Sequence, residues 1–202
     1  MKRKTIFLTA ILALIAFISF SNQTSAEDFA VGSTLENFTL PDTGGADQSF
    51  DKLKGENGAV VVFLSAQCPV VKLYNDRINE IAAAYQAKGI KFIGINSNST
   101  ESLDWVKTDA AEVGYKFPVL KDEGNVLADK LGATVTPEAY FFNEKNVLVY
   151  HGAIDNDRTG KNITDTYLKA AFEEKLAGKP VSKTKANAFG CSIKRAEKKT
   201  DE

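Results

Sequence analysis

Cys68 is the residue in this 202-residue chain best placed to do chemistry. An apolar run, Ala59-Val60-Val61-Val62-Phe63-Leu64, ends just before it. A helical pattern follows it, with apolar residues at Val71, Tyr74, Ile78, Ile81 and Tyr85. Pro69 suits a first helical position, where no backbone N–H is needed and φ is already helical. Cys68 is therefore expected to cap a helix, with unpaired backbone amides directed at its sulfur. Their partial positive charge favours thiolate over thiol, and thiolate is the nucleophilic form. Lys72, one turn on, can add a cation. The second cysteine, Cys191, lies near the end of the chain. Two cysteines are too few for a disulfide scaffold in a domain of this size, so each needs its own explanation. Two cysteines and one histidine are also a poor set for structural zinc. Asp155-Asn156-Asp157-Arg158-Thr159-Gly160 imitates the start of a calcium loop, but Thr166 stands where the bidentate glutamate is needed. Neither a metal nor a cofactor is expected.

The elements that must position Cys68 begin after a segment to be set aside. Lys2-Arg3-Lys4, the apolar run from Ile6 to Phe20 and Thr24-Ser25-Ala26 read as a signal peptide over residues 1–26. The protein is thus expected to be exported, to a periplasm or out of the cell, where disulfides persist. The mature chain is expected to lack a membrane span. Losing three basic residues changes 25 basic against 26 acidic into 22 against 26. A mildly acidic chain without a basic cluster is a poor nucleic-acid binder.

The run 59–64 lacks polar alternation and reads as a strand buried on both faces. The helix after Pro69 stops near Gly89, and Lys91–Asn96 is a second strand. Strand, helix, strand implies a right-handed parallel unit. A helix over Glu101–Val113, capped by Thr100 or Ser99, comes next, then a short extended piece at Phe117–Leu120 and a short helix ending at Gly132. Ala139–Phe142 and Val147–Tyr150 form a hairpin, and a last helix spans Lys161–Ala177. Residues 178–188 read as a polar linker. The expected class is α/β: a thioredoxin-like fold with a central mixed sheet flanked by helices, from a β-α-β unit, a β-hairpin and a closing helix. Residues 27–178 form the domain and residues 179–202 a tail carrying Cys191. In that fold a cis proline lies against the active cysteine, and Thr136-Pro137, just before the hairpin, is the candidate.

Phe63-Leu64-Ser65-Ala66-Gln67-Cys68-Pro69-Val70-Val71-Lys72 with Asp76-Arg77 resembles the redoxin group of the alkyl hydroperoxide reductase / thiol-specific antioxidant (peroxiredoxin-like) superfamily. So do Ile95-Asn96-Ser97-Asn98, Phe117–Asp122, Thr136-Pro137-Glu138, Tyr150–Asp155, Leu176–Pro180 and Gly190-Cys191-Ser192-Ile193-Lys194. The resemblance implies thiol redox chemistry on a peroxide or a protein disulfide, with an unnamed thiol electron donor. Members of this branch often carry Cys-Asn-His-Cys-Pro, and here Ser65, Ala66 and Gln67 replace the first three residues. A Cys-x-x-Cys dithiol is likewise absent, because Val71 occupies its second position. Any resolving thiol within the chain must be Cys191. In peroxiredoxins a Thr or Ser stands three residues before the reactive cysteine, as Ser65 does. The proline expected four residues earlier is Val61, and neither Arg77 nor Arg158 has a diagnostic spacing.

The candidate site is therefore Cys68, Cys191, Ser65, Thr136 and Pro137. Ser-x-x-Cys leans toward peroxide reduction, and thiol–disulfide reduction or isomerisation is the alternative. A third reading is a binding protein whose Cys68–Cys191 disulfide is purely structural, closing a loop worth roughly 5 kcal/mol in chain entropy. His151 is expected on the hairpin surface and Trp105 in packing.

Overall fold

The computed structural model describes residues 29–197. The signal-peptide reading falls outside the described residues. Chain order gives β1 (Thr39–Pro41), β2 (Asp47–Ser49), α1 (Phe50–Leu53), β3 (Ala59–Leu64), α2 (Pro69–Gln86), β4 (Lys91–Asn96), α3 (Leu103–Val113) and β5 (Val119–Lys121). There follow a 3-10 turn (Glu123–Asn125), α4 (Val126–Leu131), β6 (Val135–Thr136), β7 (Glu138–Phe142), β8 (Leu148–Gly152), α5 (Tyr167–Leu176), β9 (Lys185–Ala186) and β10 (Cys191–Ser192).

Six strands form one mixed sheet in the order β5-β4-β3-β7-β8-β9. β3 is central: parallel to β4 on one side and antiparallel to β7 on the other. All six of its residues are buried, which explains its unbroken apolar sequence. Val60, Val62 and Leu64 point into one core with Cys68, α2 and α5. Ala59, Val61 and Phe63 point into the other, with Phe50, Leu127, Ala128 and Leu131. α2 buries Val71, Tyr74, Ile78, Ala82 and Tyr85, so Ala82 takes the central place that the spacing gave to Ile81.

Several local expectations are refined. α3 starts at Leu103 because Ser102, rather than Ser99 or Thr100, accepts the Trp105 N–H. The closing helix starts at Tyr167, six residues later than expected. Residues before it are held in a loop, where Asn156 Oδ1 accepts the N–H groups of Thr164 and Asp165. The stretch read as a polar linker contributes β9, which adds to the sheet parallel to β8. Trp105 is 45% exposed instead of packed.

The C-terminal segment is a strap tied down along its length. Phe189 meets the Tyr74 ring, with centroids 6.4 Å apart, on one face of the sheet. β10 then pairs antiparallel with β6, Cys191 opposite Thr136, and Ile193 enters the core on the other face. Backbone bonds continue it: Ile193 N–H to Thr134 C=O at 3.0 Å and Ser99 N–H to Lys194 C=O at 2.9 Å. Among the described residues no helix is long and apolar enough to cross a membrane.

Candidate active site

Cys68 is the N-cap of α2, with extended φ/ψ of −77° and 114°, and Pro69 follows it in the helix. The cap position comes from a tight turn, Cys68 N–H to Ser65 C=O at 3.3 Å, which stops β3 and starts the helix within four residues. The Cys68 side chain is fully buried. Its thiol donates to the Thr136 carbonyl at 3.3 Å, and the Thr136-Pro137 bond is cis. The expected juxtaposition of sulfur and proline loop is present.

Cys191 completes the arrangement. Its pairing opposite Thr136 brings its sulfur beside the Cys68 sulfur, near enough for each to shift the other's titration, and both cysteines are free thiols here. The Thr136 hydroxyl donates to the Cys191 carbonyl at 3.5 Å. Cys191 was expected on a tail that begins with a polar linker; the strap already holds it beside Cys68.

The two thiols are shifted in opposite directions. Burial pushes the Cys68 thiol up, but hydrogen bonds from the Cys191 thiol, the Val71 N–H of the helix start and Thr136 outweigh it, so it ends below its ordinary value. Burial raises Cys191, and so does the neighbouring Cys68 sulfur, both as hydrogen-bond partner and as charge. A thiol with a lowered pKa holds more thiolate, the nucleophilic form, at a given pH than one with a raised pKa. The pH profile of alkylation by iodoacetamide, followed peptide by peptide, is expected to show Cys68 inflecting below about 8.5, the ordinary thiol value, and Cys191 above it. The reverse order would contradict this electrostatic picture.

Ser65 is buried, and its hydroxyl donates to Glu101 Oε1 at 2.6 Å. Glu101 also accepts the N–H groups of Ala66 at 2.9 Å and Gln67 at 3.2 Å, and the side-chain amides of Asn96 and Asn98. Lys121 Nζ donates to Asn96 Oδ1 at 3.0 Å and to the Asn98 carbonyl at 2.7 Å. This network beneath the Cys68 turn gives a place to Asn96, Asn98 and Lys121, which the sequence offered only as family matches. Glu101 itself was taken for a helix-start residue. The available signal was polar residues, Asn96 and Lys121, ending two otherwise apolar strands.

Arg77 is committed elsewhere. Its guanidinium donates to Asp155 at 2.6 Å and to the carbonyls of Asp157 and Arg158, and it lies 3.8 Å over the Tyr74 ring. The Arg158 side chain is exposed. Lys72 is exposed as well, and its charge acts on Asp109. His151 is not on the surface: its side chain is 13% exposed, with Nδ1 3.8 Å from the buried Glu138 carboxylate. No cluster among the described residues could hold a metal ion.

Known proteins share this frame. A curated thiol-disulfide oxidoreductase, ResA of Geobacillus thermodenitrificans, is 23% identical over 174 residues, covering 86% of this chain and 92% of that protein. The crystal structure of a hypothetical protein of Sinorhizobium meliloti superposes with a TM-score of 0.79 at 33% identity, covering 85% of this chain and 98% of that one. A putative thiol:disulfide interchange protein DsbE of Chlorobium tepidum superposes with a TM-score of 0.58 at 16% identity, covering 75% and 98%, a likeness of fold. The sequence profile of the AhpC/TSA family matches residues 31–151, and this thioredoxin-fold chain belongs to that family.

Proposed function

We propose that the protein is an exported thiol–disulfide oxidoreductase whose working couple is Cys68–Cys191. The observation that carries this reading is that Cys68 bonds the Thr136 carbonyl and Cys191 pairs opposite the same residue, which sets the two thiols side by side, one with a lowered and one with a raised pKa. The Cys68 thiolate attacks one sulfur of a substrate disulfide. A mixed disulfide forms and the other substrate sulfur leaves as thiolate. Cys191, once deprotonated, attacks the Cys68 sulfur, the Cys68–Cys191 bond forms and the second substrate thiol departs. Two electrons pass to the substrate, and the two cysteine protons end on its thiols. An external thiol must return the pair to the reduced state. Thr136 and Pro137 line the attacked face, and Ser65 braces the nucleophile's turn through Glu101. The segment after residue 178, which adds β9 to the sheet, supplies the resolving thiol. Export follows from the reading of residues 1–26.

A second reading, peroxide reduction, is favoured by the complete burial of Cys68 beneath the strap, which suits a small oxidant. The thiolate would displace hydroxide or water from the peroxide and become a sulfenic acid, and Cys191 would condense with it, releasing water. The commitment of the Ser65 hydroxyl to Glu101 and of Arg77 to Asp155 counts against it, since neither is available to hold a peroxide. Stopped-flow oxidation of the reduced protein separates the two. Faster reaction with a model disulfide than with hydrogen peroxide, relative to free cysteine in both cases, supports the first reading. Accelerated reaction with peroxide alone overturns it.

A further inference from the structure

We propose that Glu101 is a positioning residue that holds the Cys68 turn and the Cys191 strap in one register, and so sets the equilibrium of the Cys68–Cys191 couple. The inference rests on the couple proposed above and assigns its stability to a residue that touches neither sulfur.

The geometry is specific. Three of the groups donating to Glu101 belong to the tripeptide immediately before Cys68: the Ser65 hydroxyl at 2.6 Å and the N–H groups of Ala66 and Gln67 at 2.9 and 3.2 Å. A fourth is the Asn98 side-chain amide at 3.2 Å. The other end of that amide, Oδ1, accepts the Lys194 N–H at 2.7 Å, three residues beyond Cys191. Ser99 N–H closes the same joint on the Lys194 carbonyl. One carboxylate thus bonds the turn before Cys68 directly and reaches the strap through Asn98. Lys121 fixes the sense of the network. By donating to Asn96 Oδ1 it forces the Asn96 amide N–H toward Glu101.

Every partner of Glu101 is a donor. Only an ionised carboxylate accepts from five donors at once; a carboxylic acid or an amide would bring a donor of its own among them. Glu101 is 1% exposed, yet it remains ionised. Burial pushes its carboxyl up, and the bonds from Ser65, Asn96, Ala66 and Gln67 more than offset this. The charged groups that feel it are Lys121 and Asp109. Truncating Glu101 leaves buried donors without an acceptor, so the Cys68 turn and the strap must each relax toward other partners. The sulfurs then lose their fixed separation, and the advantage of an intramolecular disulfide falls with it.

The balanced reaction that reads this is oxidation by glutathione disulfide: two protein thiols become one disulfide, and two glutathione thiols take up the electrons and protons. Full chain, reduced, is equilibrated with glutathione buffers and the oxidised fraction is counted by intact mass. Four proteins are compared: wild type, Glu101→Ala, Asn98→Ala and, as a control for general destabilisation, Phe172→Leu on the buried face of α5. Glu101→Ala is expected to lower the equilibrium constant at least about tenfold, a rise in potential of about 30 mV for a two-electron couple. Asn98→Ala, which removes one donor to Glu101 and the side-chain half of the joint to the strap, shifts the same way by less, and Phe172→Leu does not shift. An unshifted Glu101→Ala overturns the inference while leaving the couple intact. A Phe172→Leu shift as large as that of Glu101→Ala also overturns it, because the effect is then general loss of stability. If Glu101→Ala does not fold, Asn98→Ala decides, and no shift there is fatal. A wild-type protein that forms no reversible disulfide sinks the proposed couple, and this inference with it.

Discussion

Cys191→Ser is expected to stop the reaction at its halfway point. The first step needs only Cys68, whose lowered pKa does not come from Cys191 alone, since the Val71 N–H and Thr136 contribute too. A small disulfide should therefore still be attacked, and intact mass should show one substrate half bound to Cys68. The second step has lost its nucleophile. A serine hydroxyl does not displace a thiol from sulfur, and an external thiol at millimolar concentration must do the work instead. Well-oriented intramolecular groups exceed such a concentration by many powers of ten. Resolution should slow by at least about a hundredfold, an effect of roughly 3 kcal/mol on that barrier. Cys68→Ser, by contrast, should form no adduct at all. A Cys191→Ser protein that resolves its adduct as fast as wild type would remove Cys191 from the mechanism.

Gly190→Ala should have nearly as large an effect, through space alone. A Cβ at position 190 would lie 1.9 Å from the Thr136 carbonyl oxygen and 2.6 Å from its carbon. These are backbone atoms next to Pro137, and no flexible side chain can give way. The strap must lift from β6, and the pairing of Cys191 with Thr136 is the bond pattern that fails first. Two readouts should move together. Cys68, fully buried when the strap is in place, should become open to a bulky maleimide at a rate at least about tenfold higher, and the intramolecular disulfide should form less readily. The outer joints of the strap, where Asn125 Oδ1 accepts Ala196 N–H and Arg195 meets Asp129 at 3.3 Å, should keep the tail attached. Unchanged maleimide reactivity would mean that the strap does not guard the thiol.

The parts legible in the sequence are those whose signal is local and apolar. β3, α2 and β4 are readable because a buried strand has no polar alternation and a packed helix repeats its apolar face; Pro69 fixes where one becomes the other. The hairpin of β7 and β8 follows from two apolar runs around Asn143–Asn146. The AhpC/TSA resemblance adds Thr136-Pro137, whose place against Cys68 no periodicity could give. What was hidden is held together by backbone. β6 and β10 are two residues each, so neither has a pattern, and their pairing is a matter of main-chain geometry between segments 55 residues apart. The same applies to Ser99 and Lys194. Glu101 was illegible for a different reason. A glutamate in Ser-Thr-Glu-Ser has the composition of a solvated helix start, and only the converging donors of another loop make its burial tolerable. His151 misled in the same way: its register partners are the buried Tyr140 of β7 and Lys185 of β9, so β8 is not the outer strand that an isolated hairpin would make it.

The proposed chemistry requires the Cys68 and Cys191 sulfurs to be partners in one redox couple. Intact-mass measurement of the full chain across a glutathione titration, with proteolytic mapping of the oxidised form, tests that most directly. It should show a single reversible two-electron step that joins the Cys68 peptide to the Cys191 peptide. A Cys68 that is oxidised only as a mixed disulfide, with Cys191 still free, would contradict the account, and so would a Cys68–Cys191 bond that no glutathione ratio opens.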